Sequence, residues 1–445
     1  MLRKLGLGLM AVLMLGAAAQ TAPVTSYMLD NGMQVVVIED HRAPAVVQMV
    51  WYRIGSADEP AGHSGIAHFL EHLMFKATDD MAAGEFSEAV SAQGGRDNAF
   101  TSYDYTAYHQ RVAADRLDLI MRMEADRMRD LVLSEADAAT ELQVIIEERN
   151  QRTDSSPGAL LNEQMSAAQF LNHPYGLPVI GWKHEMSALT RADAIDFYQA
   201  NYAPNNAILV VAGDVDPVEV LALAKTHYGP LAPSDRIKPR VRPQEPPQLA
   251  ARRLVMEDDR VSEPYLIRSY LAVERNPGAQ RQAAALVLLT RVLGGSSTTS
   301  VLARALQFDA PVAVYTSAFY DPTTVDPDTL SIVVMPQPGV GLAEAEAALD
   351  AQLAKFLETG IAPEDFARIK AQIRADDIYE RDDTQSLAQQ YGEALAVGLT
   401  LDDIADWPKV LQEVTADEVM AVAQAVLQDR SSVTAWLRAP EGKTP

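Results

Sequence analysis

The sequence predicts an α+β protein built from two similar domains. Strand-like runs of β-branched and alternating apolar residues are interspersed with helical patterns along the 445-residue chain. Both halves repeat the order strand, helix, strand and further helices, which indicates a duplicated domain. The length agrees with this organisation, because a chain of this size is too long for one ordinary hydrophobic core.

The first half is predicted to open with strands and to continue mainly with helices. The Asn31-Gly32 pair marks a turn before the first long strand. Periodicity and residue type predict strands over 34–39, 45–53 and 207–212, and helices over 66–75, 84–93, 113–130 and 134–152.

The second half repeats this scheme loosely. Its predicted strands are 265–272 and 330–335, and its predicted helices are 280–293, 341–358 and 363–379. The helix over 280–293 follows a strand, as the helix over 66–75 does in the first half. The two halves are therefore expected to share one topology.

A proline-rich segment separates the halves. Six prolines fall between Pro230 and Pro247, with charged residues among them. Such a composition cannot continue a helix or a central strand, and it indicates an extended linker. We therefore predict a first domain over 20–229, a linker over 230–247 and a second domain over 248–445.

The N-terminus has the pattern of a secretory signal peptide. Arg3 and Lys4 precede an apolar run over 5–16, and three alanines at 17–19 supply small residues before Gln20. We predict that residues 1–19 are removed on export to a periplasm, with an uncleaved N-terminal anchor as the alternative. No later segment reaches the roughly 18 apolar residues of a transmembrane helix, so no stable membrane span is expected afterwards.

Charge and cysteine content exclude several classes of function. The formal net charge is −24, which argues against nucleic acid as a partner. The acidity is interpreted mainly as a solubility device, although it could also attract basic substrates. The chain contains no cysteine, which excludes thiol catalysis and cysteine-bound zinc.

The segment His68-Phe69-Leu70-Glu71-His72 carries the strongest chemical signal. Histidines four residues apart lie on one face of a helix, so both imidazoles can bind one metal ion. Glu71 lies close to that face and can take a proton from a water molecule there. The neighbouring residues are apolar, which disfavours the alternative of a solvated helix face. Zinc suits these ligands best, although nickel, cobalt or iron would also accept them.

A third metal ligand has to come from elsewhere in the chain. Ser134 and Asp137 form a capping-box pattern that opens a helix containing Glu141, Glu147 and Glu148. Glu141 and Glu148 are seven residues apart and therefore lie on nearly the same helix face. A helix crossing the metal helix could present Glu148 to the metal, and spacing alone leaves Glu147 open.

Several segments together resemble the M16 (pitrilysin/insulinase-type, inverzincin) metallopeptidase family, and in particular its short bacterial members. The resemblance covers most of the first half in the family's order and weakens through the second half. The segments that carry it are Gly62 to Ala67 leading into His68–His72 and Leu73-Met74-Phe75-Lys76, Gly94-Gly95 with Asn98-Ala99-Phe100-Thr101, Glu141 to Glu148, His173-Pro174-Tyr175-Gly176, and Tyr202 to Asn206 with Val211-Ala212-Gly213-Asp214.

The resemblance implies a fold, a cofactor and an activity. The family's fold would give two homologous LuxS/MPP-like α/β domains that form half of a clam-like chamber. Its pattern makes His68, His72 and Glu148 the ligands of one zinc ion per chain. Glu71 becomes the general base and Glu141 the supporting acidic residue, and the implied activity is hydrolysis of peptide bonds.

The resemblance also implies a site for the peptide substrate. Asn98, Ala99 and Phe100 correspond to the family's substrate-holding edge strand. An exposed strand edge offers unpaired N–H and C=O groups to an extended peptide, which gives affinity with little demand on sequence. An ordinary turn-and-strand segment is the alternative interpretation.

The second half departs from the pattern of family members that act alone. Those members carry an arginine and a tyrosine seven residues apart, and this sequence places Gln307 and Val314 at those positions. Arg304 and Tyr315 are nearby but out of register. The departure predicts the zinc-bearing subunit of a heterodimer with a homologous subunit that supplies the arginine–tyrosine pair. A self-sufficient homodimer and a non-catalytic scaffold subunit are the alternatives.

Overall fold

The computed structural model describes residues 23–440, so the predicted signal peptide over 1–19 lies outside the described residues. No helix within 23–440 combines the length and the apolar content needed to cross a membrane.

The first half forms a six-stranded sheet in the order β1-β2-β8-β3-β6-β5, in which β2 and β8 are parallel and the other neighbours are antiparallel. Two short strands, β4 and β7, pair separately. The strands of this half are β1 (Val24–Met28), β2 (Gln34–Glu39), β3 (Ala45–Tyr52), β4 (Ala77–Thr78), β5 (Arg96–Thr101), β6 (Thr106–Ala113), β7 (Leu131–Val132) and β8 (Ala207–Gly213).

The second half forms a five-stranded sheet in the order β11-β12-β10-β13-β9. Here β9 and β13 are parallel and the other neighbours are antiparallel. The strands are β9 (Arg252–Glu257), β10 (Tyr265–Ala272), β11 (Ala313–Tyr320), β12 (Asp328–Pro336) and β13 (Ser432–Arg438).

Helices pack on both sheets. Those of the first half are α1 (Ile66–Leu73), α2 (Glu85–Ala92), α3 (Leu117–Arg129), α4 (Glu135–Arg149), α5 (Pro157–Gln169), α6 (Lys183–Met186), α7 (Arg191–Asn201) and α8 (Pro217–His227). Those of the second half are α9 (Arg281–Gly294), α10 (Val301–Ala303), α11 (Leu342–Thr359), α12 (Pro363–Glu380), α13 (Thr384–Ala396), α14 (Leu401–Glu413) and α15 (Ala416–Val426).

The two sheets repeat one topology, as the sequence predicts. The order β2-β8-β3-β6-β5 in the first sheet corresponds to β9-β13-β10-β12-β11 in the second, with a parallel pair at the same end. Helix α9 follows β10 and precedes β11, as α1 follows β3 and precedes β5. The α+β fold class and the duplication are therefore confirmed.

One predicted helix begins too early, and another changes its helical type before its predicted end. The pattern over 113–130 begins with the end of β6, which pairs with β3 up to Ala113, so the α-helix starts only at Leu117. The pattern over 134–152 is α-helical to Arg149 and continues as a π-helical turn over Asn150–Asp154. In the first case the sheet's pairing overrides the local helical pattern.

Each sheet is covered on one face by a helix of the other half. Helix α13 packs on the first sheet, where Ala388 and Leu395 join a buried cluster that includes Trp51. Helix α5 packs on the second sheet, where Leu161 and Met165 join a buried cluster that includes Ile267. Because of this exchange, residues of both halves share buried clusters. The packing therefore does not mark a boundary between two domains, and the boundaries at 229 and 248 remain predictions.

Residues 230–247 form no helix or strand. Arg242 fixes this segment: its guanidinium lies 2.9 Å from Asp58, 2.5 Å from Asp104 and 3.1 Å from Asp326. Asp58 and Asp104 belong to the first half and Asp326 to the second. The proline-rich segment is thus extended, but it is anchored to both halves by one buried ion-pair network.

Candidate metal centre

Helix α1 is positioned by a backbone turn and an acidic cap. Gly65 precedes the helix with a φ of 90°, and a Cβ there would come within 2.6 Å of the Ile180 carbonyl oxygen, so only glycine fits. The two carboxylate oxygens of Glu59 each accept a hydrogen bond of 2.9 Å, one from the N–H of Gly65 and one from that of Ala67. A carboxylate at this end of a helix also complements the helix dipole.

Helix α4 begins with the predicted capping box. The Ser134 side chain accepts a hydrogen bond from the Asp137 N–H, and the Asp137 carboxylate accepts one from the Ser134 N–H. From this fixed start α4 packs against α1. The crossing brings Glu141 and Glu148 to the face of α1 that carries His68 and His72.

The geometry of His68, His72 and Glu148 fits a metal ion. Glu148 Oε2 lies 3.4 Å from His68 Nε2 and 3.2 Å from His72 Nε2. Two ligand atoms about 2.0 Å from a zinc ion at the tetrahedral angle are about 3.3 Å apart, which matches both separations. Glu148 Oε2 is also buried without a hydrogen-bond partner, as expected of an atom that faces a cation. Within residues 23–440, this is the only group of three or more histidine or carboxylate side chains whose ligand atoms all lie within 4.8 Å of one another.

The two glutamates that spacing leaves open have different neighbours. Glu147 is exposed, and its carboxylate accepts hydrogen bonds from the side chains of Asn150 and Gln151 at 3.2 and 3.0 Å. Glu148 instead faces the two imidazoles. The geometry therefore favours Glu148 as the third ligand.

Electrostatics favour the charged form of this carboxylate. The close contact with His68 Nε2, at 3.4 Å, is the largest cause that lowers the pKa of Glu148 to about 2, against a smaller opposing effect of burial. For His72, burial disfavours the charged ring, but Glu141, Glu71 and Glu148 together raise its pKa above the usual value. A group of carboxylates that favours a proton on an imidazole also favours a metal cation in its place.

Glu141 orients His72. Its Oε1 lies 2.9 Å from His72 Nδ1 and its Oε2 lies 2.5 Å from Lys76 Nζ. A hydrogen bond at Nδ1 fixes the ring and leaves Nε2 free to face Glu148. The predicted supporting role of Glu141 corresponds to this contact.

Glu71 is nearly buried, with 9% of its surface exposed, and Thr101 holds it. The Thr101 hydroxyl donates a 2.5 Å hydrogen bond to Glu71 Oε2. Thr101 belongs to the motif Asn98-Ala99-Phe100-Thr101, but the sequence does not predict its contact with Glu71. The partnership becomes visible only when the end of β5 is placed beside α1.

The candidate substrate strand is β5, an edge strand that pairs only with β6 among the described strands. Asn98, Ala99 and Phe100 line the same cavity of about 1000 Å³ as the three candidate metal ligands. Side chains alternate along the strand: Ala99 packs in the core that contains α1, whereas Phe100 packs on Trp51 with ring centroids 5.4 Å apart. The free backbone edge is therefore available to an extended peptide.

The residues at and near the expected arginine and tyrosine positions lie outside the metal cavity. Gln307 donates a 2.8 Å hydrogen bond to Thr316, and Val314 is exposed. Arg304 pairs with Asp365, and Tyr315 is exposed. Every residue that lines the metal cavity in the described chain lies between His68 and Ile180, so the second half contributes none of them.

The H-x-x-E-H motif, here on the buried helix α1, is the signature of the inverzincin class of metallopeptidases. The chain belongs to peptidase family M16. Residues 34–183 match the family model described as "Insulinase (Peptidase family M16)", and residues 188–373 match the one described as "Peptidase M16 inactive domain".

Individual relatives agree with this assignment. The chain is 29% identical to zinc protease PqqE of Helicobacter pylori over 98% of both chains. A crystal structure of a Helicobacter pylori protease superposes with a TM-score of 0.87 at 29% identity, covering 94% of this chain and 99% of that one. The periplasmic protease PqqL of Escherichia coli shares the fold, with a TM-score of 0.80 at 20% identity over 95% of this chain and 48% of PqqL.

Proposed function

We propose that this protein is a zinc-dependent endopeptidase that hydrolyses peptides or small unfolded proteins. The observation that carries the proposal is the placement of Glu148 Oε2, buried and unpartnered, 3.2 and 3.4 Å from the two imidazole Nε2 atoms. A relative aligned over nearly its whole length is named a zinc protease, which supports zinc as the metal.

The residues of the site divide the chemistry among them. When bound by His68, His72 and Glu148, zinc would polarise the scissile carbonyl and make a water molecule more acidic. Glu71 is placed to take the proton of the attacking water and to deliver it to the leaving amine. The edge of β5 would hold the peptide in an extended conformation beside Glu71, because Thr101, at the end of β5, is hydrogen-bonded to Glu71.

A fluorogenic peptide tests this proposal. The wild-type protein should cleave it in the presence of zinc, and Glu71→Gln should abolish cleavage while zinc remains bound. His68→Ala should remove both zinc and cleavage. Activity that survives in Glu71→Gln would contradict the assigned base.

We further propose that the protein acts as the zinc-bearing subunit of a heterodimer. Two observations support this proposal. Among the described residues, none from the second half lines the metal cavity. In addition, Gln307 occupies the position of the expected arginine. The missing clamp on the developing oxyanion would cost about 10²–10³ in rate. Strong peptide cleavage by the purified chain alone, unchanged by a homologous subunit with the arginine–tyrosine pair, would favour the homodimer instead.

We also propose a periplasmic location. The signal-peptide pattern over 1–19 supports it, as does the description of the structurally similar PqqL as periplasmic. Cell fractionation tests the proposal: the mature chain should begin near Gln20 and should be released with periplasmic marker proteins. Recovery of the full-length chain with the cytoplasm would contradict it.

A further inference from the structure

A second cavity lies between the proline-rich linker and the first half. Its volume is about 720 Å³, and it shares no lining residue with the metal cavity. We call it the linker cavity. Apolar side chains form part of its wall, among them Ile54, Phe170, Leu177 and Trp182. The basic residues that line it are Arg53, Arg236, Lys238, Arg240 and Arg242.

The linker cavity is basic although the chain as a whole is strongly acidic. Five cationic side chains line it, against two carboxylates, Asp58 and Glu59, in a chain of net charge −24. Asp58 is already paired with Arg242 at 2.9 Å. Glu59 directs both oxygens to the first turn of α1. Arg236 pairs with Asp196 at 2.8 Å, and Arg240 comes within 3.5 Å of Asp58. Among the described residues, Arg53 and Lys238 are therefore the lining cations without a carboxylate within ion-pair distance.

Arg53 is the clearest unneutralised charge. It directly follows β3, and its guanidinium makes one hydrogen bond, from Nη2 to Gln34 Oε1 at 3.1 Å. Throughout residues 23–440 no carboxylate lies within ion-pair distance of it. Burial and the nearby charge of Arg240 both lower the pKa of Arg53. A partly buried arginine without an anionic partner is uncommon, because desolvation of the charge is costly unless it is paired.

Arg240 approaches the same space from the linker. Its Nε is 3.5 Å from Asp58, which Arg242 holds more closely, and its Nη2 donates to the backbone carbonyl of Asp104. Arg53 and Arg240 therefore place two like charges near each other across the cavity. An anion between them would remove the repulsion and satisfy both planar donor groups.

We propose that the linker cavity binds a small ligand through an oxyanion, a carboxylate or a phosphate, held by Arg53 and Arg240. The apolar wall formed by Ile54, Phe170 and Trp182 would accept a nonpolar part of the same ligand. This site goes beyond the proposed peptidase function and uses none of its residues. Because Arg240 belongs to the linker and Arg53 to the first half, the bound ligand would also stabilise the folded chain.

Calorimetric titration of the full-length protein tests the site with three probes. Pyrophosphate represents a phosphate source, N-acetylleucine a carboxylate with an apolar side chain, and N-acetylleucinamide the same compound without its charge. We expect saturable binding of pyrophosphate or N-acetylleucine and none of the amide. Arg53→Gln should weaken that binding about tenfold or more, the effect of losing a charge-assisted hydrogen bond.

The control is Arg129→Gln, which removes an exposed arginine paired with Asp130 far along the chain and changes the net charge equally. It should bind as the wild type does. Arg53→Gln is the decisive variant because Arg53 has one side-chain hydrogen bond to lose, and an unchanged melting temperature verifies its folding. Failure of both anions to bind, or binding that Arg53→Gln leaves unchanged, overturns the site without touching the proposed peptidase.

Discussion

The hydroxyl of Thr101 donates a 2.5 Å hydrogen bond to Oε2 of Glu71, so the last residue of the exposed strand β5 holds the carboxylate that α1 presents. One bond thus links the strand that would bind the peptide to the group that would move the proton. A carboxylate held at one oxygen keeps the other available for water.

Removing this bond should lower turnover. Thr101→Val keeps the shape of the side chain but not the donor, and we expect kcat to fall about tenfold to a hundredfold, as for the loss of a hydrogen bond to a charged group. Thr101→Ser should retain most of the activity. Zinc content should be normal in both variants, and equal kcat values for Thr101→Val and the wild type would contradict the positioning role.

Loss of the Glu141 carboxylate should weaken zinc binding. Glu141→Ala frees the His72 ring and leaves Lys76 without its 2.5 Å partner, and comparable contacts to metal ligands are worth about 10–100-fold in metal affinity. Competition with a chromogenic chelator measures the affinity. Glu135→Ala on the same helix is the matched control, because that side chain is 84% exposed and should leave zinc affinity unchanged.

A methyl group at Gly392 should destabilise the packing of α13 on the first sheet. A Cβ there would come within 2.0 Å of the Trp51 indole nitrogen, although Gly392 lies inside a helix where alanine is otherwise favoured. Gly392→Ala should cost about 1–3 kcal/mol in the free energy of unfolding, measured with urea.

The control for this variant is Gly341→Ala. Nothing lies within 4 Å of the position a Cβ would take there, and its φ of −77° suits any residue. That change should cost less than about 1 kcal/mol, because Gly341 is the N-cap of α11 and alanine caps a helix less well than glycine. Equal effects of the two substitutions would contradict the close contact between the halves.

The Arg242 network should make stability depend on pH in the acid range. Burial acts to raise the pKa of Asp326, but His173, Gln244 and Arg242 outweigh it and lower the pKa to about 2, from 3.8. A lowered pKa in the folded state favours folding of the ionised form. The contribution, about 2 kcal/mol, is therefore complete above about pH 4 and is lost as the pH falls toward 2.

Urea unfolding of Asp326→Asn between pH 5 and 3 measures this contribution. The variant should be less stable than the wild type at pH 5, and the difference should shrink as the pH falls. Asp235→Asn, at an exposed position of the linker, should follow the wild type at each pH. A difference that stays constant across this range would contradict the assignment.

The sequence predicts local features well and long-range contacts poorly. The periodicity around His68 and His72 and the capping box at Ser134 are local patterns, and both elements form as predicted. Spacing alone leaves Glu147 open beside Glu148; the family resemblance implies Glu148, and the crossing of α4 and α1 brings that residue to the two imidazoles. Thr101 acquires its role only from the position of β5 beside α1, which no local pattern contains.

The exchange of helices between the halves leaves no local pattern in the sequence. By sequence alone, Gly392 only lowers the helix propensity of α13. In the fold it makes room for Trp51, which lies more than 300 residues earlier in the chain. In the sequence, Arg242 is one of several charges in a proline-rich linker, but in the fold it pairs with three aspartates from distant segments. Such partners are set by tertiary packing.

The most direct test of the proposed metal centre is the zinc content of the purified protein and two neighbouring variants, measured by elemental analysis after dialysis. We predict one zinc ion per chain in the wild type and in Glu147→Gln, and almost none in Glu148→Gln. Loss of zinc from Glu147→Gln with retention in Glu148→Gln, or a wild-type protein that takes up no zinc when supplied with it, would contradict the account.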